Sequence, residues 1–158
     1  MVAAQHNSIK NLGQVFTPPA VIDRMLGLRR NAGSVLEPSA GNGAFCERIK
    51  DAFGLEIDDK LAALSGALPM DFFAYPAAFK FDTIIGNPPY VRHQDILPQT
   101  KSLLPGGFDK RSNLYLFFIR KALDHLRIGG ELIFITPRDT PQTPVSYTHL
   151  TLPTIYSV

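Results

Sequence analysis

Four residues, Asn87-Pro88-Pro89-Tyr90, follow directly on the apolar run Phe81-Asp82-Thr83-Ile84-Ile85-Gly86. Their types suit one kind of chemistry. Two consecutive prolines fix the backbone and remove two N–H donors. What remains is a set of acceptors, the Asn87 amide oxygen and the Pro88 carbonyl. Such a set suits an –NH₂ group that must donate twice. Tyr90 adds a flat ring on which a planar base can stack. A plain structural turn is the weaker reading of the same residues.

A second cluster lies fifty residues earlier in Glu37-Pro38-Ser39-Ala40-Gly41-Asn42-Gly43. Gly41 and Gly43 let the backbone pass close to a ligand where a side chain would clash. A structural strand-to-helix turn is the alternative for these glycines. Position 46, where a dinucleotide loop has its third glycine, is Cys46. Glu37 would repel a pyrophosphate, but it suits a cationic group such as the amino end of methionine. Glu56 stands where a carboxylate can accept from two ribose hydroxyls, with a solvated surface glutamate as the alternative. Asp71 could accept from an adenine amino group, or simply cap a turn. The single cysteine, Cys46, reads as a packing residue and excludes an internal disulfide.

These residues need elements to position them. Thr17-Pro18-Pro19 opens a helix, with Thr17 as cap, Pro18 at the first helical position, an apolar face of Ile22, Met25 and Leu26, and Gly27 as its end. Strands are expected at 34–37, 54–58, 68–72, 81–86 and 131–136. Helices are expected at 44–53, around 60–64 and at 112–127. The last has Leu116, Ile119, Leu123 and Leu126 on one face and Gly129-Gly130 as terminator. Residues 91–110 read as a long irregular stretch. Strands alternating with helices imply an open parallel α/β sheet, whose ligands bind outside the carboxyl ends of the strands. Glu37 to Gly43, Glu56 and Asn87 to Tyr90 all fall at such ends.

The chain has 158 residues, 45% hydrophobic and 19% charged, with net charge +2. That suits one folded domain and permits a nucleic-acid partner without requiring one. No apolar run is long enough to span a membrane and no secretory signal is visible, so a cytoplasmic protein without a metal site is expected.

Taken together, Gly13-Gln14-Val15-Phe16-Thr17-Pro18-Pro19, Val35 to Gly43, Glu56-Ile57-Asp58, Asp71-Phe72 and Asn87-Pro88-Pro89-Tyr90 resemble the gamma class of DNA adenine-N6 methyltransferases of restriction–modification systems. Asn113-Leu114-Tyr115 and Gly129-Gly130-Glu131-Leu132 add to the likeness, which covers roughly residues 9–140. It implies an incomplete Rossmann-like class I methyltransferase fold with about five parallel strands. S-adenosylmethionine would be the cofactor and double-stranded DNA with a flipped adenine the substrate. A restriction endonuclease would be a fused or separate companion. The resemblance places Thr17, Glu37, Ser39, Ala40, Gly41, Gly43, Glu56, Ile57, Asp71, Phe72, Asn87, Leu114 and Phe118 at the cofactor. It makes Asn87, Pro88, Pro89 and Tyr90 the catalytic set. Plain core packing is the alternative for Leu114 and Phe118. Methylation of ribosomal RNA adenine or of a protein glutamine by the same motif is an alternative function, and a non-catalytic nucleotide-binding module is a second.

Residues 1–13 are expected to form a mobile lead-in and 14–140 a truncated catalytic domain. From about 141–145 onward the sequence, including Val145-Ser146-Tyr147-Thr148-His149-Leu150, resembles a translated sequencing adapter. Residues 141–158 are therefore expected to be non-native, the fifth strand to be an exposed sheet edge, and DNA affinity to be poor. Arg92, His93, Lys101, Lys110 and Arg111 are candidate DNA contacts, or a solvated loop.

Overall fold

The computed structural model describes residues 15–109, 111–137 and 154–157. Six strands form one sheet: β1 (Val35–Glu37), β2 (Phe53–Glu56), β3 (Leu68–Pro69), β4 (Phe81–Gly86), β5 (Leu126–Phe134) and β6 (Thr154–Ser157). Their order is β3-β2-β1-β4-β5-β6, and every pairing is parallel. The helices are α1 (Pro19–Leu28), α2 (Asp59–Ser65), α3 (Pro98–Lys101) and α4 (Leu114–His125).

Side chains alternate across the strands, and this splits the core into two layers. Leu36, Ile84, Leu132 and Phe134 pack with Phe117, Phe118 and Ala122 of α4. Val35, Ile85 and Ile133 pack with Ile22 and Met25 of α1 and with Phe45 and Ile49. Strands buried on both faces read as continuous apolar runs, which is why 81–86 was legible at its full length.

Several boundaries differ from expectation, each for a local reason. α1 begins at Pro19, with Pro18 as its cap residue and no side-chain cap from Thr17, and it runs through Gly27 to Leu28. Residues 44–52 form successive turns instead of a helix. Their bonds mix the Glu47-to-Gly43 and Ile49-to-Phe45 spacing with the shorter Arg48-to-Phe45 and Ala52-to-Ile49 spacing. The left-handed Asp51, at φ 61°, then turns the chain into β2. Because β2 starts at Phe53, it stops at Glu56 and frees Asp58 to cap α2. β3 is only two residues long, since Pro69 has no N–H for the ladder.

The most buried stripe of α4 is Leu114, Tyr115, Phe117, Phe118, Ala122 and His125, not the aliphatic face at 116, 119 and 123. The aromatic rings carry the larger apolar area and take the sheet. α4 ends at His125, and β5 begins immediately after it. Gly129 (φ 76°) lies inside that strand, where the register against β4 jumps from Phe81–Leu126 to Thr83–Glu131. The two glycines thus accommodate a bulge and do not end a helix. Glu131, 3% exposed, accepts from the N–H groups of Arg30 and Asn31 and from the Thr83 hydroxyl, which fixes the chain after α1 to the sheet.

β5 is not the sheet edge. Residues 154–157 pair along it from Glu131–Thr154 to Phe134–Ser157. An open row of backbone donors and acceptors templates an extended segment, and Thr154-Ile155-Tyr156 is β-prone. The stretch 91–109 is more ordered than expected, with a 3₁₀ turn at His93–Asp95 followed by α3, and with Val91, Ile96 and Thr100 buried. Among the described residues no helix is long and apolar enough to cross a membrane, and no cluster of side chains suits a metal ion.

Candidate functional site

The strand order reverses between β1 and β4, which opens a crevice at their carboxyl ends. The glycine loop after β1 and the Asn87 turn after β4 meet there. Ser39 Oγ donates to the Asn87 carbonyl at 3.3 Å. A Cβ added to Gly86 would lie 3.7 Å from Glu37 Cγ. The segment before α1 closes the crevice from outside. Asn87 Nδ2 donates to the Val15 carbonyl at 3.2 Å, and the Phe16 ring lies beside Gly41.

The crevice holds a cavity of about 750 Å³, its open mouth included. Ser39, Gly41, Glu56, Ile57, Asp71, Phe72, Asn87, Pro89, Leu114 and Phe118 line it. Thr17, Glu37 and Ala40 line a smaller adjoining pocket that shares Ser39, Gly41 and Asn87 with the first. Three predicted residues lie outside both. Gly43 is a packing glycine: at φ 82°, a Cβ there would come within 2.9 Å of Ser65 Cβ on α2. Pro88 is fully buried beneath the turn. Tyr90 lines a neighbouring groove with Arg92, Asp95, Ile96, Leu97 and Pro98. Its hydroxyl donates to the Ile135 carbonyl at 2.7 Å, and its ring is tilted 57° against Tyr115. Burial pushes the Tyr90 phenol up to about 12, so it stays protonated at neutral pH.

The three carboxylates of the site differ in their partners. Glu37, 2% exposed, accepts from Cys46 Sγ at 3.0 Å and from the Cys46 backbone. Burial, assisted by the nearby Glu56 charge, pushes it up to about 8, against the lowering effect of the Cys46 bonds. The Cys46 thiol is itself pushed far up by burial and by Glu37, which makes it an inert donor and not a nucleophile. Glu56, 3% exposed, is no solvated surface residue. Its Oε2 accepts from the Gly41 N–H at 2.7 Å and its Oε1 from the Asp58 N–H at 2.9 Å. Asp71 caps the 3₁₀ turn Phe72–Ala74 through the Phe73 N–H, and its other oxygen accepts from Thr100 Oγ1.

One polar atom stands out. Asn87 Oδ1 is buried and has no hydrogen-bond partner among the described residues. A buried acceptor left unsatisfied costs about 1–3 kcal/mol. It is the kind of atom that a bound donor completes.

The lining fits a long cation with a sugar and a purine. It offers three carboxylates, Glu37, Glu56 and Asp71, and apolar surface from Phe72, Leu114 and Phe118, with the Phe72 and Phe118 rings 5.2 Å apart. Among the described lining residues there is no Lys or Arg to hold a phosphate.

Of the candidate DNA contacts, Arg92 pairs with Asp95 at 2.9 Å and Arg111 with Asp109 at 3.1 Å, both exposed. His93 lies against Phe117, and Lys101 ends α3. Lys110 falls outside the described residues. Sequence reasoning missed Ile96, Leu97 and Thr100, which line the cavity from the stretch read as irregular. The available signal was Pro98, a first-turn proline ahead of a short helix.

Comparison with known proteins fits this geometry. Residues 42–143 match the family model described as Eco57I restriction-modification methylase. The type II methyltransferase M.HincII of Haemophilus influenzae is 34% identical over 140 residues, covering 80% of this chain and 28% of that protein. The type II methyltransferase M.TthHB8I of Thermus thermophilus is 32% identical over 150 residues, covering 81% and 35%. The chain thus spans about a third or less of the curated relatives it matches. A structure from Listeria monocytogenes, described as a class I S-adenosylmethionine-dependent methyltransferase, superposes with a TM-score of 0.52 at 17% identity, covering 85% of this chain and 52% of that one. The fold is that of the class I methyltransferases, and the chain belongs to the Eco57I restriction-modification methylase family.

Proposed function

We propose that this chain carries the catalytic site of a DNA methyltransferase that modifies the N6 amino group of adenine. The cofactor that goes with its family and fold is S-adenosylmethionine. When bound, that cofactor supplies an electrophilic methyl group on a sulfonium centre. Glu37 would hold its ammonium end, with Thr17, Ser39, Ala40 and Gly41 close by. Glu56 would accept from the ribose hydroxyls, with Ile57 alongside. Asp71 would accept from the adenine amino group, with Phe72, Leu114 and Phe118 enclosing the ring.

The observation that carries the reading is the buried Asn87 Oδ1, which has no partner among the described residues. One N–H of its amide nitrogen donates to the Val15 carbonyl, which holds the side chain in the orientation that leaves Oδ1 as the acceptor toward a ligand. Together with the Pro88 carbonyl it would accept from a target –NH₂ and draw the nitrogen lone pair out of conjugation. The nitrogen so held by Asn87 and the Pro88 carbonyl would be a better nucleophile, facing the methyl group that the cofactor would supply. The adenine must leave the duplex to reach this position. Tyr90, anchored through its hydroxyl, offers its ring to the extruded base. Positioning and electrostatics would supply most of the rate.

The test is methyl transfer from S-adenosylmethionine to a duplex, with the modified nucleoside identified by mass spectrometry. The wild-type chain should yield N6-methyladenine. Asn87→Ala should lose at least about 100-fold in rate at saturating cofactor. Methylation of cytosine, or of ribosomal RNA or a protein glutamine in preference to DNA, would replace the adenine-in-DNA reading. Nucleotide binding with no preference for the sulfonium cofactor would point to a non-catalytic module.

A further inference from the structure

The cavity contains a hydroxyl that the proposed function leaves unused. Thr100 is 4% exposed, lines the cavity and donates from Oγ1 to Asp71 Oδ2 at 2.5 Å. The other Asp71 oxygen accepts from the Phe73 N–H at 2.9 Å. Two donors from different elements, the turn after β3 and the helix α3, therefore fix the plane of one carboxylate. A carboxylate that only accepts selects a ligand that donates. Its selectivity depends on being held in place, because a free rotor can turn its oxygens away from a mismatched group.

The position of α3 supports a built role. Ile96 and Leu97, just before it, line both the cofactor cavity and the groove beside Tyr90. Thr100 thus hangs from a partition between the two spaces, with its hydroxyl turned to Asp71.

We propose that Thr100 is a positioning residue that locks Asp71 as an acceptor and so sets the site's preference for adenine over purines that carry a carbonyl at the same position. The inference rests on the assignment of Asp71 to the cofactor's purine.

Calorimetric titration with S-adenosylhomocysteine and with S-inosylhomocysteine separates the two ideas. The second ligand differs by having a carbonyl in place of the exocyclic amine. The wild-type chain should prefer the adenosyl ligand. Thr100→Val keeps the shape and removes the hydroxyl. It should weaken the adenosyl ligand about tenfold, the scale of one hydrogen bond, while leaving the inosyl ligand nearly unchanged. Thr100→Ser, which retains the hydroxyl, should keep the wild-type preference. Equal weakening of both ligands by valine would show a merely structural residue and overturn the proposal, as would an unchanged preference. If the valine variant fails to fold, the serine variant decides, because loss of preference there also overturns it. A wild-type chain that does not discriminate at all would instead overturn the reading of Asp71 itself.

Discussion

The ends of β1 and β2 each carry a glutamate that solvent barely reaches, 2% exposed at Glu37 and 3% at Glu56. Their surroundings are opposite in kind. Glu56 is gripped by two backbone amides, from Gly41 and Asp58, and so joins the glycine loop to the turn before α2. Glu37 has only Cys46, through its thiol and its backbone, as the described donor, and burial drives it to about 8, so it is mostly protonated at neutral pH before any ligand arrives. One carboxylate is part of the frame. The other waits for a partner that compensates its burial, and an ammonium group is such a partner. The same residue type at the same kind of strand end is therefore held by backbone amides in one place and left with an uncompensated burial in the other.

Glu56→Ala should have the larger effect. It strips both half-buried amides of their acceptor, and each lost hydrogen bond costs about 0.5–1.5 kcal/mol. Chemical denaturation should show a stability loss of that order or more, and calorimetry should show no measurable cofactor binding, because the Gly41 loop loses its anchor. A variant as stable as wild type would mean that other contacts hold the loop.

Glu37→Gln should behave in the opposite sense. Its folded pKa lies above the unfolded value of 4.5, so the folded chain holds an extra proton between 4.5 and about 8. The stability this contributes is fully present below 4.5 and is lost as pH rises through about 8. Wild type should therefore lose stability across that window, and the glutamine variant should not. Cofactor affinity should move the other way. Binding an ammonium requires the carboxylate, so wild-type affinity should rise with pH until about 8, near which the cofactor's own amino group begins to lose its charge (about 7.7–8.0). Glutamine should flatten that profile and weaken binding roughly 10- to 100-fold at its optimum, the scale of a charge-assisted hydrogen bond. A flat wild-type profile would remove Glu37 from the ammonium.

The comparison also shows what a sequence can reveal. Glu37, Glu56, Asp71 and Asn87 were legible because each closes or follows an apolar strand or turn, and parallel sheets gather such ends into one crevice. Gly43 was read as a ligand glycine because its backbone freedom is visible in sequence, while the Ser65 contact that requires it is not. The helix expected at 44–53 had suitable residues, but the left-handed Asp51 and the early start of β2 left it no room. Gly129-Gly130 looked like a helix terminator, whereas the chain had already turned into β5 at Leu126. Thr100 was invisible because its meaning lies in a hydrogen bond across 29 positions of chain. Local patterns announce strands and their ends, while partners distant in sequence decide what a side chain at those ends is for.

Cys46 gives the finest test of the contrast between the two glutamates. Its thiol is the only side-chain donor described for Glu37, and it works against the burial that raises the carboxyl. Its Sγ also sits over Gly54, where a Cβ would come within 3.0 Å, so the sulfur fills the space between β2 and Glu37. Cys46→Ala removes the hydrogen bond and leaves a small void. The expected loss is about 0.5–1.5 kcal/mol for a neutral hydrogen bond, smaller than that of Glu56→Ala. The informative readout is the pH profile. Without the thiol, Glu37 should titrate higher still, and the rise of cofactor affinity should shift to higher pH by a measurable fraction of a unit. Cys46→Ser keeps a donor and should restore most of the wild-type profile. If alanine lowers stability but leaves the profile in place, the Cys46 thiol only fills space, and the tuning of Glu37 must come from burial, the Cys46 backbone and Glu56.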